Sequence, residues 1–156
     1  MQQAKQIINE EMEDIFEYLY NIYPDGNLIF RIYFNIIPEL SSKGLDVNKI
    51  SNDIIEDILK YIRDGKIVKD SIQYILSDFI NNNKLDYDKY KPMTDEEIKN
   101  LILNIINNNK DLMNKQNKFQ IIMGLVMKSS NGRAEGSRVS EIIKKIMEEN
   151  GDEIRS

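Results

Sequence analysis

Apolar residues in this chain recur at intervals of three and four, and almost never at two. That spacing predicts helices throughout and no sheet. Ile7, Ile8, Met12, Ile15, Leu19 and Ile22 mark a first amphipathic helix over roughly 4–22. Pro24-Asp25-Gly26-Asn27 is a turn signal. A second helix runs from Leu28 to about Lys43, disturbed near Pro38, which lacks the backbone donor a helix interior needs. Gly44 suits the residue just past its end. Ser51 or Asn52 caps a third helix with Ile54, Ile55, Ile58, Leu59 and Ile62 facing in, and Gly65 stops it. Val68, Ile72, Ile75, Leu76 and Phe79 carry a fourth. The polar stretch from Asn81 to Pro92, dotted with tyrosines, reads as a linker or long loop. Thr94 with Glu97 then forms a capping box, and Asp95 and Glu96 suit the positive end of the helix dipole. That helix buries Ile98, Leu101, Ile102 and Ile105 and ends at Asn107-Asn108-Asn109.

The stretch from Phe119 to Asn150 reads as helix, glycine-punctuated loop, helix. Phe119, Ile122, Met123, Val126 and Met127 share one face, while Ile121 and Leu125 lie opposite, so other helices should wrap it on most sides. The only polar stripe left is Gln120, Gly124 and Lys128, at i, i+4 and i+8. A glycine inside a helix costs up to ~1 kcal/mol against alanine, and the expected return is close approach by another backbone. Ser129 to Gly136 forms the loop, with Ser137 as N-cap of the last helix. Val139, Ile142, Ile143, Ile146 and Met147 give that helix its apolar face. Phe119, Met123, Val126, Val139, Ile142 and Ile146 are expected in one small core.

Composition narrows the chemistry. With 156 residues, 41% hydrophobic and 30% charged, the chain is globular and long enough for a core. No apolar run reaches the ~18 residues that span a bilayer, and the polar, acidic N-terminus does not read as a signal peptide. There is no Cys and no His. Thiolate nucleophiles, zinc–sulfur sites and the usual base of a serine triad are therefore excluded, and an intracellular protein is expected. Walker and dinucleotide motifs are missing. Asp86, Asp88 and Glu97 approach a calcium-loop pattern, but Lys91 stands where the sharp turn needs Gly, and Pro92 follows. The hairpin Ser51 to Ile80 has the outline of a helix-turn-helix, yet its second helix exposes Asp70, Ser71, Gln73 and Asp78, which suits no DNA groove.

The net charge of −5 hides an asymmetry. Residues 1–90 carry 10 Lys and Arg against 16 Asp and Glu, whereas residues 110–145 carry 8 basic against 3 acidic. A basic patch on an acidic chain can still meet phosphates. Its plainer reading is a solvated face, with Glu141–Lys145 and Lys144–Glu148 paired at i, i+4.

The order Gly124-x-Val126-Met127-Lys128, a short gap, then Gly132-Arg133-Ala134-x-Gly136 and an amphipathic helix resembles the tail domain of the tRNA-dependent amidotransferases, in their B and E subunits, shared with the YqeY-like proteins. Asn131 departs where a basic residue is common, and Glu135 where Asp or Asn is common. Ser51–Leu76 looks like the helical domain that precedes the tail in the B and E subunits, a segment the YqeY-like proteins do not share. The resemblance implies an all-α chain of two small helical parts, a connector domain over 1–90 and a YqeY-like tail domain over 91–156. The Gly-Arg-Ala-Glu-Gly version leans toward the archaeal-type E subunit of the glutamyl-tRNA(Gln) amidotransferase. It implies a cytoplasmic tRNA-binding region that supports conversion of Glu-tRNA(Gln) to Gln-tRNA(Gln). The ATP- and Mg-dependent chemistry then lies in a separate catalytic cradle, with ammonia from a glutaminase- or asparaginase-like partner subunit. The chain reads as the C-terminal portion of such a protein and, alone, as no enzyme, with no cofactor, DNA or membrane partner of its own. Lys128, Arg133 and Arg138 are the main candidates for contacts to tRNA(Gln), supported by Lys118 and Lys144, with Gly124 and Gly132 allowing close approach. The other reading is a YqeY-like or helical interaction adaptor without an RNA role.

Overall fold

The structure, a computed structural model, describes the backbone of residues 2–155 and the side chains of residues 11–149. Among the described residues every regular element is a helix. By packing the chain divides into two compact units, Met1–Lys66 with Ile72–Tyr87, and Ile67–Ser71 with Asp88–Ser156.

Helix α1 of the first unit spans Gln2–Ile22. It buries Leu19 and half-buries Met12, Ile15 and Ile22, as the periodicity requires. Ile7 and Ile8 lie outside the described side chains. Asp25 then caps α2 (Gly26–Arg31), its carboxylate accepting from the Leu28 N–H at 3.0 Å. The chain runs on through a π-helical turn at Ile32–Ile36 into α3 (Ile37–Ser42). The wide turn sits directly ahead of Pro38. Proline offers no N–H and its ring crowds the carbonyl four residues back, so one looser turn absorbs the conflict and the helix continues. At Gly44, with φ +86°, the helix closes, and the Leu45 N–H returns to Leu40 O at 3.2 Å.

Ser51 occupies the N-cap position of α4 (Asn52–Arg63), without a side-chain cap bond. Gly65 ends that helix at φ +72°, and the Lys66 N–H reaches Tyr61 O at 2.9 Å. Helix α5 follows at Ile72–Asn82. Ile29, Ile32, Ile55, Ile58, Leu59, Ile72, Ile75 and Leu76 are almost fully buried. Each contributes on the order of 1.5–3 kcal/mol relative to remaining exposed. Tyr18 donates to the Glu56 carboxylate at 2.7 Å, which holds that carboxyl below its ordinary range.

The stretch read as a linker is pinned at both tyrosines. Tyr87 stacks on Tyr61 with ring centroids 3.7 Å apart and donates its hydroxyl to Asp57 at 2.6 Å. Tyr90 is 2% exposed. Polar composition hid two aromatic anchors, because a single large side chain can fix a loop that has no periodicity.

The second unit is a three-helix packing of α6 (Asp95–Asn108), α7 (Lys118–Ser129) and α8 (Gly136–Arg155), with a 3-10 turn at Lys110–Asn114 between the first two. Thr94 caps α6, its hydroxyl accepting from the Glu97 N–H at 3.2 Å. Ile98, Ile102, Leu112, Ile122, Val126, Ala134, Val139, Ile143 and Ile146 form the core. Phe119, Met123 and Ile142, expected inside it, pack around its edge.

Candidate nucleic-acid interface

The candidate residues lie on α7, α8 and the loop between them. Helix α7 is wrapped as its sequence requires: Ile122 and Val126 are buried, and Ile121, Met123, Leu125 and Met127 are half-buried. Gln120, Gly124 and Lys128 are exposed, so the polar stripe faces outward along the whole helix.

The loop's shape comes from two residues in left-handed conformation, Asn131 at φ +52° and Gly132 at φ +72°. Asn131 is thus the residue that stops α7; the Gly132 N–H returns to Met127 O at 3.2 Å. Asparagine tolerates this conformation better than a lysine or arginine does, which gives its departure from the family pattern a local reason.

Gly132 makes the close approach expected of it, but to the chain itself. A Cβ added there would lie 2.1 Å from the Asp70 carbonyl oxygen. The Asp70 carboxylate, 66 positions from Gly136, accepts the Gly136 N–H at 2.8 Å. Asp70 is therefore the N-terminal cap of α8. Ser137 is not; its hydroxyl donates to Glu135 at 3.0 Å. An anion is favoured at a helix N-terminus by the aligned peptide dipoles and unpaired N–H groups, and here the fold supplies that anion. The sequence holds one signal for this arrangement: no Ser, Thr, Asp or Asn stands immediately before Gly136, so the cap had to come from elsewhere.

Gly124 behaves in the opposite way to the expectation. A Cβ added there would meet nothing within 4 Å. Among the described residues no other backbone approaches it, so the fold gives no return there for a helix-breaking residue.

The basic candidates separate. Arg133 is fixed in place: its Nε donates to Lys91 O at 2.7 Å, and its own carbonyl accepts the Met93 N–H at 3.1 Å. Neither Nη makes a hydrogen bond among the described residues. Lys128 is exposed and forms no ion pair among the described residues. Arg138 is committed elsewhere. It bonds Asp95 through Nε at 3.2 Å and through Nη2, and Glu141 through Nη1 at 3.0 Å. The Asp95 carboxylate stabilises the Arg138 charge and raises its pKa further. Arg138 thus lies in a groove between α6 and α8 lined also by Glu96, Lys99 and Lys145. At about 100° per residue it lies roughly 120° around α8 from Lys144. Lys144 sits 6.0 Å from the Phe119 ring centroid, beside Lys118 at the start of α7. Lys118 and Lys128 lie on α7, Arg133 in the loop after it and Lys144 against Phe119 of α7, whereas Arg138 is paired with two carboxylates.

Sequence reasoning missed Asp70, Lys91 and Met93 as the residues that hold the loop. Among the described residues no group of three or more carboxylates converges as a metal site would need, and no helix is long and apolar enough to cross a membrane.

Known proteins share this arrangement of sequence. The GatB domain family matches residues 14–147. The chain is 36% identical over 149 residues to the E subunit of the glutamyl-tRNA(Gln) amidotransferase of Sulfolobus acidocaldarius, covering 90% of this chain and 24% of that protein. It is 34% identical over 150 residues to the same protein of Saccharolobus solfataricus, covering 90% of this chain and 24% of that protein. It is 33% identical over 151 residues to that of Sulfurisphaera tokodaii, covering 91% and 24%. The chain spans about a quarter of the length of the curated relatives it matches. No solved structure matches it. With most of its residues matched to one family and a third of them identical in these relatives, the chain belongs to the GatB domain family.

Proposed function

We propose that this chain is the tRNA-contacting helical and tail region of an E-type glutamyl-tRNA(Gln) amidotransferase protein, and that its second unit meets the tRNA body along α7. The observation that carries this reading is Gly124. It sits mid-helix, exposed, between Gln120 and Lys128, with open space where a side chain would be. A flat, polar strip on an otherwise wrapped helix lets a sugar–phosphate backbone come close, and RNA helices are recognised mainly through phosphate and 2′-hydroxyl contacts. Lys128 and the fixed Arg133 supply charge at one end of the strip, while Lys118, roughly 120° around α7 from Gly124, and Lys144 against Phe119 add it beyond the strip's flank. Gly132 and the α8 N-terminus serve the loop's internal architecture, so the contact is made by side chains rather than by the loop amides. Activation of Glu-tRNA(Gln) with ATP and Mg, and its amidation, are then the work of a cradle domain and a partner subunit outside this chain.

The adaptor reading has one observation in its favour. Phe30 and Phe34 of the first unit are 54% and 49% exposed, with ring centroids 4.5 Å apart. They line an open cleft with Met12, Glu13 and Phe16.

A salt titration of tRNA binding decides between the two. Three or four phosphate contacts give a slope of log affinity against log salt of about −2 to −4, with a dissociation constant on the order of 10–100 µM. Lys128→Ala with Arg133→Ala should lower affinity and flatten that slope. An unchanged slope with the fold intact would leave the basic residues as a solvated surface and favour the adaptor.

A further inference from the structure

Helix α6 ends on three consecutive asparagines, and the chain turns through Lys110–Asn114 toward α7. An open cleft of about 510 Å³ lies along this turn, lined by Asn107, Asn108, Asn109, Lys110, Asp111 and Lys115 among others. The asparagines do not have equal duties. Asn109 is committed to the fold, its Nδ2 donating to Ile105 O at 2.9 Å and closing the helix. Asn108 makes only a long bond of 3.4 Å to Asn104 Oδ1. Asn107 makes none among the described residues. Lys110 and Lys115 are exposed and form no ion pair among the described residues.

The lining selects its ligand. Two ammonium groups against one carboxylate favour an anion over a cation. The amides add donors and acceptors on one group, which a bare anion does not need but a ribose hydroxyl beside a phosphate does. The cleft lies at the N-terminal end of α7. Lys115 leads to Lys118, the first residue of α7, and Lys128 lies about 15 Å further along the same helix.

We propose that this cleft is a second RNA contact, taking one phosphate on Lys110 and Lys115 and the adjoining ribose 2′-hydroxyl on Asn107 and Asn108. The proposal rests on the reading of the second unit as RNA-binding. It makes α7 a rigid spacer between two contacts, which sets the register of the RNA along the helix.

The test is fluorescence anisotropy of the full chain with a labelled tRNA(Gln) transcript and with a DNA hairpin of matching stem length. Lys110→Gln with Lys115→Gln should flatten the tRNA salt slope by about 0.7–0.9, the share of the one phosphate they hold. Asn107→Ala with Asn108→Ala should leave the slope unchanged, weaken tRNA about five- to tenfold, as losing one or two hydrogen bonds does, and shrink the preference for RNA over DNA. Alanine favours the helix end, so the second pair does not lose binding by unfolding. Wild-type affinity and RNA preference in the asparagine pair would overturn the proposal, whatever the lysine pair does. If Lys128→Ala with Arg133→Ala still weakens binding in that case, the α7 contact stands without the cleft. If the wild-type chain binds no tRNA at low salt, both fall together.

Discussion

Replacing Gly124 by alanine should stabilise this protein and weaken its hold on RNA, a combination that an ordinary surface glycine does not give. In a helix interior glycine is about 0.8–1.0 kcal/mol less favourable than alanine. The alanine methyl would meet nothing within 4 Å, so no steric cost offsets the gain. A gain of that size raises the melting temperature by about 4–8 °C if the second unit melts alone and about 2–4 °C if the chain melts as one. The same methyl lies where the RNA backbone is placed by the proposed function. Overpacking a close contact by one carbon costs on the order of 1–3 kcal/mol, so tRNA affinity should fall by about five- to 150-fold. Circular-dichroism melts and a tRNA anisotropy titration read the two effects on one preparation. A destabilised variant would mean that the fold uses Gly124 in a way its open surroundings do not account for. A stabilised variant with unchanged tRNA affinity would remove the close approach and the strip with it.

Asp70→Ala should cost about 1–2 kcal/mol of urea stability, the value of an N-cap, and Asp70→Asn should cost less because an amide oxygen still accepts the Gly136 N–H; equal, negligible losses would refute the tertiary cap. Arg138→Ala should change tRNA affinity less than twofold, since Asp95 and Glu141 neutralise it; a clear loss of affinity and slope would return it to the interface. Burial pushes the Tyr33 hydroxyl up to about 12, and burial together with the Asp57 hydrogen bond raises that of Tyr87. Both folded values lie above the unfolded value of about 10, so the stability they contribute is complete below pH ~10 and is lost as pH rises through the folded values. The urea midpoint should therefore fall between about pH 10 and 12, and Tyr87→Phe should remove part of that fall; an identical alkaline profile in the variant would refute the role given to this tyrosine.

Local sequence is enough to set the helices and which face of each turns inward. Val126, Val139 and Ile146 are buried together because their spacing leaves each helix one apolar side, and that is a local property of a 3.6-residue repeat. The stops at Gly44 and Gly65, the cap at Thr94 and the outward stripe Gln120–Gly124–Lys128 were legible for the same reason: each depends on residues within one or two turns. What each of the two candidate glycines faces is decided only by packing. Both stand in one recognisable motif, yet Gly132 is held against Asp70 while Gly124 faces open space. Nothing within a few residues of either could reveal which backbone would arrive beside it. Charge was read with the same limit. Arg133 and Arg138 differ little in sequence, but one is braced by the Lys91 carbonyl and the other is neutralised by Asp95, 43 positions away. Ion pairing and capping depend on which distant segment is brought alongside, and that is set by how whole helix faces pack, not by the residues that happen to meet there.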